Sequence, residues 1–175
     1  MALDIDAVRL DGVYFRHVPR GAAPLIGPEP PRDGRWQRGE IVGAVYLADS
    51  VATAWAEWYR VLAEFALPPA RALPRDLWRI QVSLERVADL SDEDRLRSVE
   101  LARPRPGRSD SPAYQQVGET LHVEAWPALV APSAARPEGA VICVFRTAGE
   151  IPGLVPLPPP SVQAEPPALP RGLRT

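Results

Sequence analysis

Twenty-two prolines in 175 residues limit what this chain can build. Proline has no backbone N–H and holds φ near about −65°, so it stops a helix interior and breaks a sheet ladder. The densest stretch is IPGLVPLPPPSVQAEPPALPRGLRT, from Ile151 to Thr175. It is expected neither to pair well in a sheet nor to continue a helix. It reads as an extended, polyproline-like tail over 151–175, loose or lying on a domain that spans 1–150. A second stretch, 17–40, is rich in Pro, Gly and Arg. So long a loop inside a small domain is either functional or mobile.

Regular elements must fit between these segments. VYFR at 13–16 reads as a short strand, and VGAVYLA at 42–48 as a longer one. Asp49 or Ser50 then caps a helix over 51–66, which Pro68 and Pro69 end. Val51, Ala54, Trp55, Trp58, Leu62 and Phe65 share one helical face, with Glu57 and Glu64 along its edge and Arg60 beyond. LWRIQVSLERV at 77–87 alternates, with Trp78, Ile80, Val82 and Leu84 on one side, as a half-buried strand does. Residues 91–100 hold one short helix. Residues 113–125 fit strand or helix spacing and are taken as helix. ALVAPS at 128–133 and GAVICVFR at 139–146 read as strands.

Strands and helices alternate only loosely, and the junction YLADSVATA carries no glycine-rich phosphate loop, which argues against a doubly wound dinucleotide fold. One compact α+β domain around an antiparallel or mixed central sheet, with flanking helices, fits better. The net charge of −2 gives no electrostatic case for binding nucleic acid directly. All 20 basic residues are arginines, so no lysine nucleophile or Schiff base is available. The one cysteine, Cys143, lies in an apolar run, and reduced, cytoplasmic surroundings are expected. His17 and His122 stand far apart, and no metal site is expected. No apolar run approaches membrane-spanning length, and MALDIDAVRLDG lacks a signal-peptide core.

Four polar groups stand out by placement. Arg35 is in a DGR turn beside Trp36, Tyr46 is within a strand, Glu57 borders the apolar helix face and Ser133 ends a strand. Singly, each has a commonplace role as a surface, core, flanking or turn residue. Together they suit one chemistry. A guanidinium matches a phosphate or pyrophosphate, and a phenol stacks on a ring. A lone carboxylate stabilises positive charge at a sugar carbon, and a hydroxyl orients a ribose or amide. A serine–histidine arrangement has no supporting pattern, because Ser133 is not in a nucleophile elbow.

Several stretches carry a family resemblance. GRWQRGEIVGAVYLADSVATAWAE resembles the first half of the RES domain, whose members often read GRWN…YL(A/S)…A..E. ALVAPSAA at 128–135, just after Trp126, is similar to its second signature, and VYFR to its opening strand, which ends in an arginine. Gln37 replaces the usual asparagine, Ala131 stands where valine is common, and ARPEGAVICVF lacks the usual asparagine-bearing ending. The resemblance implies Arg35, Tyr46, Glu57 and Ser133 as catalytic residues, with Arg16 joining Arg35, Tyr46 and Ser133 in substrate binding. It implies a fold similar to ADP-ribosyltransferase toxins and NAD as substrate rather than cofactor. The implied reaction is phosphorolysis or hydrolysis, with phosphate or water as acceptor. It also implies a toxin of a bacterial toxin–antitoxin pair, restrained by an Xre-like, helix-turn-helix antitoxin. The competing expectations are transfer of ADP-ribose to a macromolecule, and a catalytically weak module that binds a protein through the proline-rich tail.

Overall fold

Six strands and three helices follow the chain in the order β1, β2, α1, β3, α2, α3, β4, β5, β6 in a computed structural model that describes residues 3–146 and 151–175. The strands are β1 (Ala7–Pro19), β2 (Gly43–Ala48), β3 (Arg75–Asp89), β4 (Ala128–Pro132), β5 (Ala140–Arg146) and β6 (Leu154–Gln163). The helices are α1 (Val51–Glu64), α2 (Glu93–Ser98) and α3 (Ser111–Val123), with a 3-10 turn at Pro69–Ala72. The expected α+β class, with a mixed sheet and flanking helices, is the one observed.

The pairing runs in a circuit. β1 pairs with β3 along almost its whole length, β3 meets β4 in parallel at Ala88 and Asp89, and β4–β5 and β5–β2 are antiparallel. β2 then returns to β1 through one pair, Phe15–Ala48. The unbroken apolar runs of β2, β4 and β5 follow from burial on both faces. Val45, Leu47, Val130, Ile142 and Val144 enter one core cluster with Ile80 and Val82. Their neighbours Leu129, Ala131, Cys143 and Phe145 enter a second with Trp36, Tyr114 and Leu121 of the loop and α3.

Ser50 caps α1, its side chain accepting from the Thr53 N–H. Trp55, Trp58, Tyr59 and Leu62 pack α1 against Leu73 and Leu77. Val51 and Phe65, expected on that face, are exposed because they sit at its two ends. β1 begins six residues before VYFR, and its first half alternates exposed and half-buried positions.

The proline segment requires a correction. Residues 154–163 do pair, antiparallel to β3, as β6. An edge strand needs a ladder on one side only, which lets it carry proline. Between the pairs Leu157–Arg79 and Ser161–Leu77, β6 places three residues, Pro158, Pro159 and Pro160, against one of β3, Trp78. The boundary expected at residue 150 lies outside the described residues. Beyond β6 the chain lies on α1: the Tyr59 hydroxyl donates to the Pro167 carbonyl, and Leu173 packs into the tryptophan cluster. The Arg174 N–H donates to the Ala135 carbonyl at 2.7 Å.

Candidate functional site

Glu57 projects from the second turn of α1 towards the turn that follows β4. Ser133 lies in that turn, 2% exposed, and its Oγ donates to Glu57 Oε1 at 2.6 Å. The same Oγ accepts from the backbone N–H groups of Ala135 and Arg136, at 3.1 and 3.0 Å. Serine therefore closes the turn and aims its one proton at the carboxylate. The Ala135 N–H adds a longer bond to Glu57 Oε1, 3.3 Å. On the other oxygen, Arg60 Nε donates to Oε2 at 2.8 Å. Burial pushes the Glu57 carboxyl up, but the Arg60 charge and the bonds from Ser133, Arg60 and Ala135 outweigh it and hold the group below its ordinary value. Glu57 is thus a fixed, ionised carboxylate at neutral pH. It keeps partial access to solvent, with a side-chain exposure of 21%.

Arg60 was not among the expected site residues, although its spacing was a signal. Positions three and four apart share a helix face, so Glu57, Arg60 and Glu64 form a row. Arg60 pairs with both glutamates, and Glu64 Oε1 also accepts from the Gly107 N–H at 3.1 Å. Burial pulls the Arg60 guanidinium down, and the two carboxylates more than restore it. Arg136 likewise escaped sequence reading. Its guanidinium reaches Thr53 Oγ1 at 3.2 Å and Glu138 at 3.2 Å, tying the serine turn to the start of α1.

Arg35 and Tyr46 serve the long loop. Arg35 Nη1 meets Asp110 at 2.9 Å, and its Nη2 donates to the carbonyls of Arg105 and Gly107, at 2.7 and 2.9 Å. It also lies over the Tyr114 ring, at 5.3 Å. The Tyr46 hydroxyl accepts from the Trp36 N–H at 3.0 Å and donates to Gln37 Oε1 at 2.5 Å. Gln37, the departure from the family pattern, is buried and completes this contact by donating to the Arg32 carbonyl at 3.0 Å. Burial, then the Cys143 thiol, hold the Tyr46 phenol well above its ordinary pKa. Glycine is required at two points here. A Cβ on Gly34 would fall 2.2 Å from the Tyr46 hydroxyl, and one on Gly118 would fall 1.9 Å from the Trp36 carbonyl.

The five expected residues thus lie along one connected path. Arg16 Nη1 donates to the Tyr46 carbonyl at 2.9 Å. Tyr46 holds the backbone next to Arg35, and Arg35 holds Gly107. Gly107 leads through Glu64 and Arg60 to Glu57 and Ser133. Glu57 and Ser133 meet directly. Arg35 meets neither: its three hydrogen bonds go to the 105–110 loop.

Two surface clefts of about 390 and 440 Å³ are lined by Asp4, Asp89 and Arg95, and by Arg38, Gln115 and Glu119. Neither is lined by Glu57 or Ser133, so the convergence of side chains, not cleft volume, marks the site. Among the described residues, no group of three or more His, Cys, Asp or Glu could hold a metal ion, and no helix is long and apolar enough to cross a membrane.

The fold is similar to a chain in the crystal structure of the M. tuberculosis MbcT–MbcA toxin–antitoxin complex, with a TM-score of 0.74 at 23% identity. The match covers 96% of this chain and 91% of that one. None of the curated proteins matches this chain. The RES domain model matches residues 9–166, a span that begins in β1, ends just after β6 and contains the whole Glu57–Ser133 constellation. The chain belongs to the RES domain family.

Proposed function

We propose that this chain is an enzyme that cleaves the nicotinamide–ribose bond of NAD, with phosphate or water as acceptor. The observation that carries the reading is the Glu57 carboxylate, held ionised between Ser133 and Arg60. Nicotinamide in NAD is cationic and leaves neutral, so no general acid is needed. The difficulty is the positive charge that grows on the ribose as the bond lengthens. A preoriented carboxylate stabilises that charge more in the transition state than in the ground state, which is what acceleration requires. Glu57 takes this role and accepts from the ribose hydroxyls. Ser133 fixes its geometry, and Tyr46 holds the 34–37 loop through Trp36 and Gln37. The oxocarbenium-like carbon then takes the acceptor oxygen.

The similarity to a chain of a toxin–antitoxin complex supports the second part of the proposal. The protein acts as a toxin in the bacterial cytoplasm, where NAD is available, and an Xre-like, helix-turn-helix antitoxin restrains it.

The test is NAD consumption by purified protein, followed by mass spectrometry of the products with and without phosphate. Glu57→Gln is expected to stay folded and lose about 100-fold or more in rate. Near-wild-type NAD loss in that variant would refute the assignment. Label from NAD arriving on protein or nucleic acid would instead favour macromolecular ADP-ribosylation.

A further inference from the structure

Three arginines gather at one end of the sheet. Arg16 lies near the end of β1, Arg75 begins β3 and Arg146 ends β5. The antiparallel pairs Pro19–Arg75 and Gly43–Arg146 bring those strand ends together. There β1 and β2 part, since they pair only at Phe15–Ala48, and the Arg16 side chain spans the gap to the Tyr46 carbonyl.

Their partners differ from those of the other enclosed guanidiniums. Arg35 has Asp110, and Arg60 has Glu57 and Glu64. Arg16 has one carbonyl, and its Nε is buried with no partner. Arg75 Nε donates at 2.9 Å to His17 Nδ1, a neutral acceptor. The Arg146 guanidinium lies against Gly27, 3.4 Å from where a Cβ would stand. Among the described residues, none of the three forms an ion pair with a carboxylate. Burial, then the charges of Arg75 and Arg146, bring the Arg16 pKa down to about 10, which leaves it cationic at neutral pH. Like charges packed together and partly desolvated are costly unless an anion joins them. A guanidinium with free donors is the group best shaped to hold a phosphate.

We propose that Arg16, Arg75 and Arg146 form a phosphate-binding site in the gap between β1 and β2. The inference rests on the proposed NAD reaction for the source of its ligand, either the pyrophosphate of the dinucleotide or the acceptor phosphate. It gives an anion-holding share to Arg75 and Arg146, which have no carboxylate partner among the described residues, whereas the charge of Arg35 is already paired with Asp110. The His17 ring positions Arg75 and stacks on Trp55, 5.2 Å between centroids, two residues before Glu57.

The test is calorimetric titration of the full chain carrying Glu57→Gln, with inorganic phosphate, ADP and adenosine as separate probes. ADP or phosphate is expected to bind, and adenosine at least about tenfold more weakly. Arg146→Gln and Arg75→Gln, each added to that background, should weaken the phosphate-bearing probe at least about tenfold. Arg75→Lys should retain part of the affinity, and Arg79→Gln, an exposed control on β3, should change nothing. Dependence seen with ADP alone assigns the site to the dinucleotide, and with inorganic phosphate alone to the acceptor. Unchanged binding of both probes in folded Arg75→Gln and Arg146→Gln overturns the site. If that happens while protein without substitutions consumes NAD, the reaction stands and the site falls. If NAD stays intact but ADP binding depends on the arginines, the site stands and the reaction falls.

Discussion

Ser133 and Glu57 should be energetically coupled, and the size of the coupling follows from their geometry. The Ser133 hydroxyl donates to Glu57 at 2.6 Å and accepts two backbone N–H groups, at 3.1 and 3.0 Å. Ser133→Ala removes a buried hydrogen bond to a charged group, about 1.5–3 kcal/mol. It also leaves the Arg136 N–H without its acceptor, whereas the Ala135 N–H keeps Glu57 at 3.3 Å. Arg136 is only half-buried, so its orphaned amide adds less than the about 1–3 kcal/mol of a fully buried one, and a net loss of about 2–3 kcal/mol is expected. Glu57→Gln alone removes the charge but leaves Arg60 its second partner, Glu64. In the double variant the charged bond cannot be lost twice. The two losses should therefore fall short of additivity by about 2 kcal/mol. Urea unfolding followed by tryptophan fluorescence reads this directly, since Trp55 and Trp58 flank Glu57 on α1. The comparison is valid where the m-values agree. Losses that add within about 0.5 kcal/mol would show that the contact carries no energy, and would remove the argument that Ser133 orients the carboxylate.

Three other outcomes are expected. Burial, then the charges of Arg75 and Arg16, hold His17 well below its ordinary pKa of 6.5, so the unfolded chain binds the proton first as pH falls. This stability is present above pH 6.5 and is lost below it, by about 1.4 kcal/mol per pH unit until the folded-state pKa is reached. His17→Gln should flatten the unfolding free energy between pH 6.5 and 5, and an unchanged slope would show that another group is responsible. Glu57, also depressed, contributes above its ordinary value of 4.5 and loses that contribution only at lower pH, so the two effects separate. Gly34→Ala puts a Cβ 2.2 Å from the Tyr46 hydroxyl and 2.4 Å from Gln37 Oε1, and should cost about 2 kcal/mol in denaturant unfolding; a neutral result would mean that the 34–37 turn moves freely. Ending the chain after Glu165 removes Leu173 from the tryptophan cluster and the Arg174 bond to Ala135, about 1–2 kcal/mol. An unchanged unfolding midpoint would show that the segment only rests on the surface.

Most elements were legible because their period was plain. The 77–87 alternation, the apolar runs at 128–133 and 139–146, and the capped stretch after Ser50 all appear where expected. The misses have physical causes. The first half of β1 carries charge and leaves one face exposed, so its apolar residues are too few to announce a strand. β6 pairs despite its prolines because the rule against proline is a rule about paired N–H groups. A strand with a ladder on one side and an irregularity at Pro158–Pro160 evades it. The contact between Glu57 and Ser133 joins residues 76 apart in the chain, and no local pattern could supply it. The row Glu57, Arg60, Glu64 was local and readable, but its partner Gly107 was not.

Arg35 and Arg16 show where the reading of a site from sequence stops. Both are arginines beside an aromatic residue, and both are natural candidates for a phosphate. What separates them is how their donors are used. Arg35 meets a carboxylate and two carbonyls contributed by residues 105–110, about seventy positions away. Arg16 meets one carbonyl and has a buried nitrogen with none. A guanidinium already paired with a carboxylate gains less from an added oxyanion, because part of its charge is neutralised. An unsatisfied one has already lost its water, so an incoming oxyanion meets donors with nothing to exchange. The affinity for a phosphate should therefore follow the unspent donors of the arginines at the β1–β2 gap, whereas Arg35 is tied to the 105–110 loop.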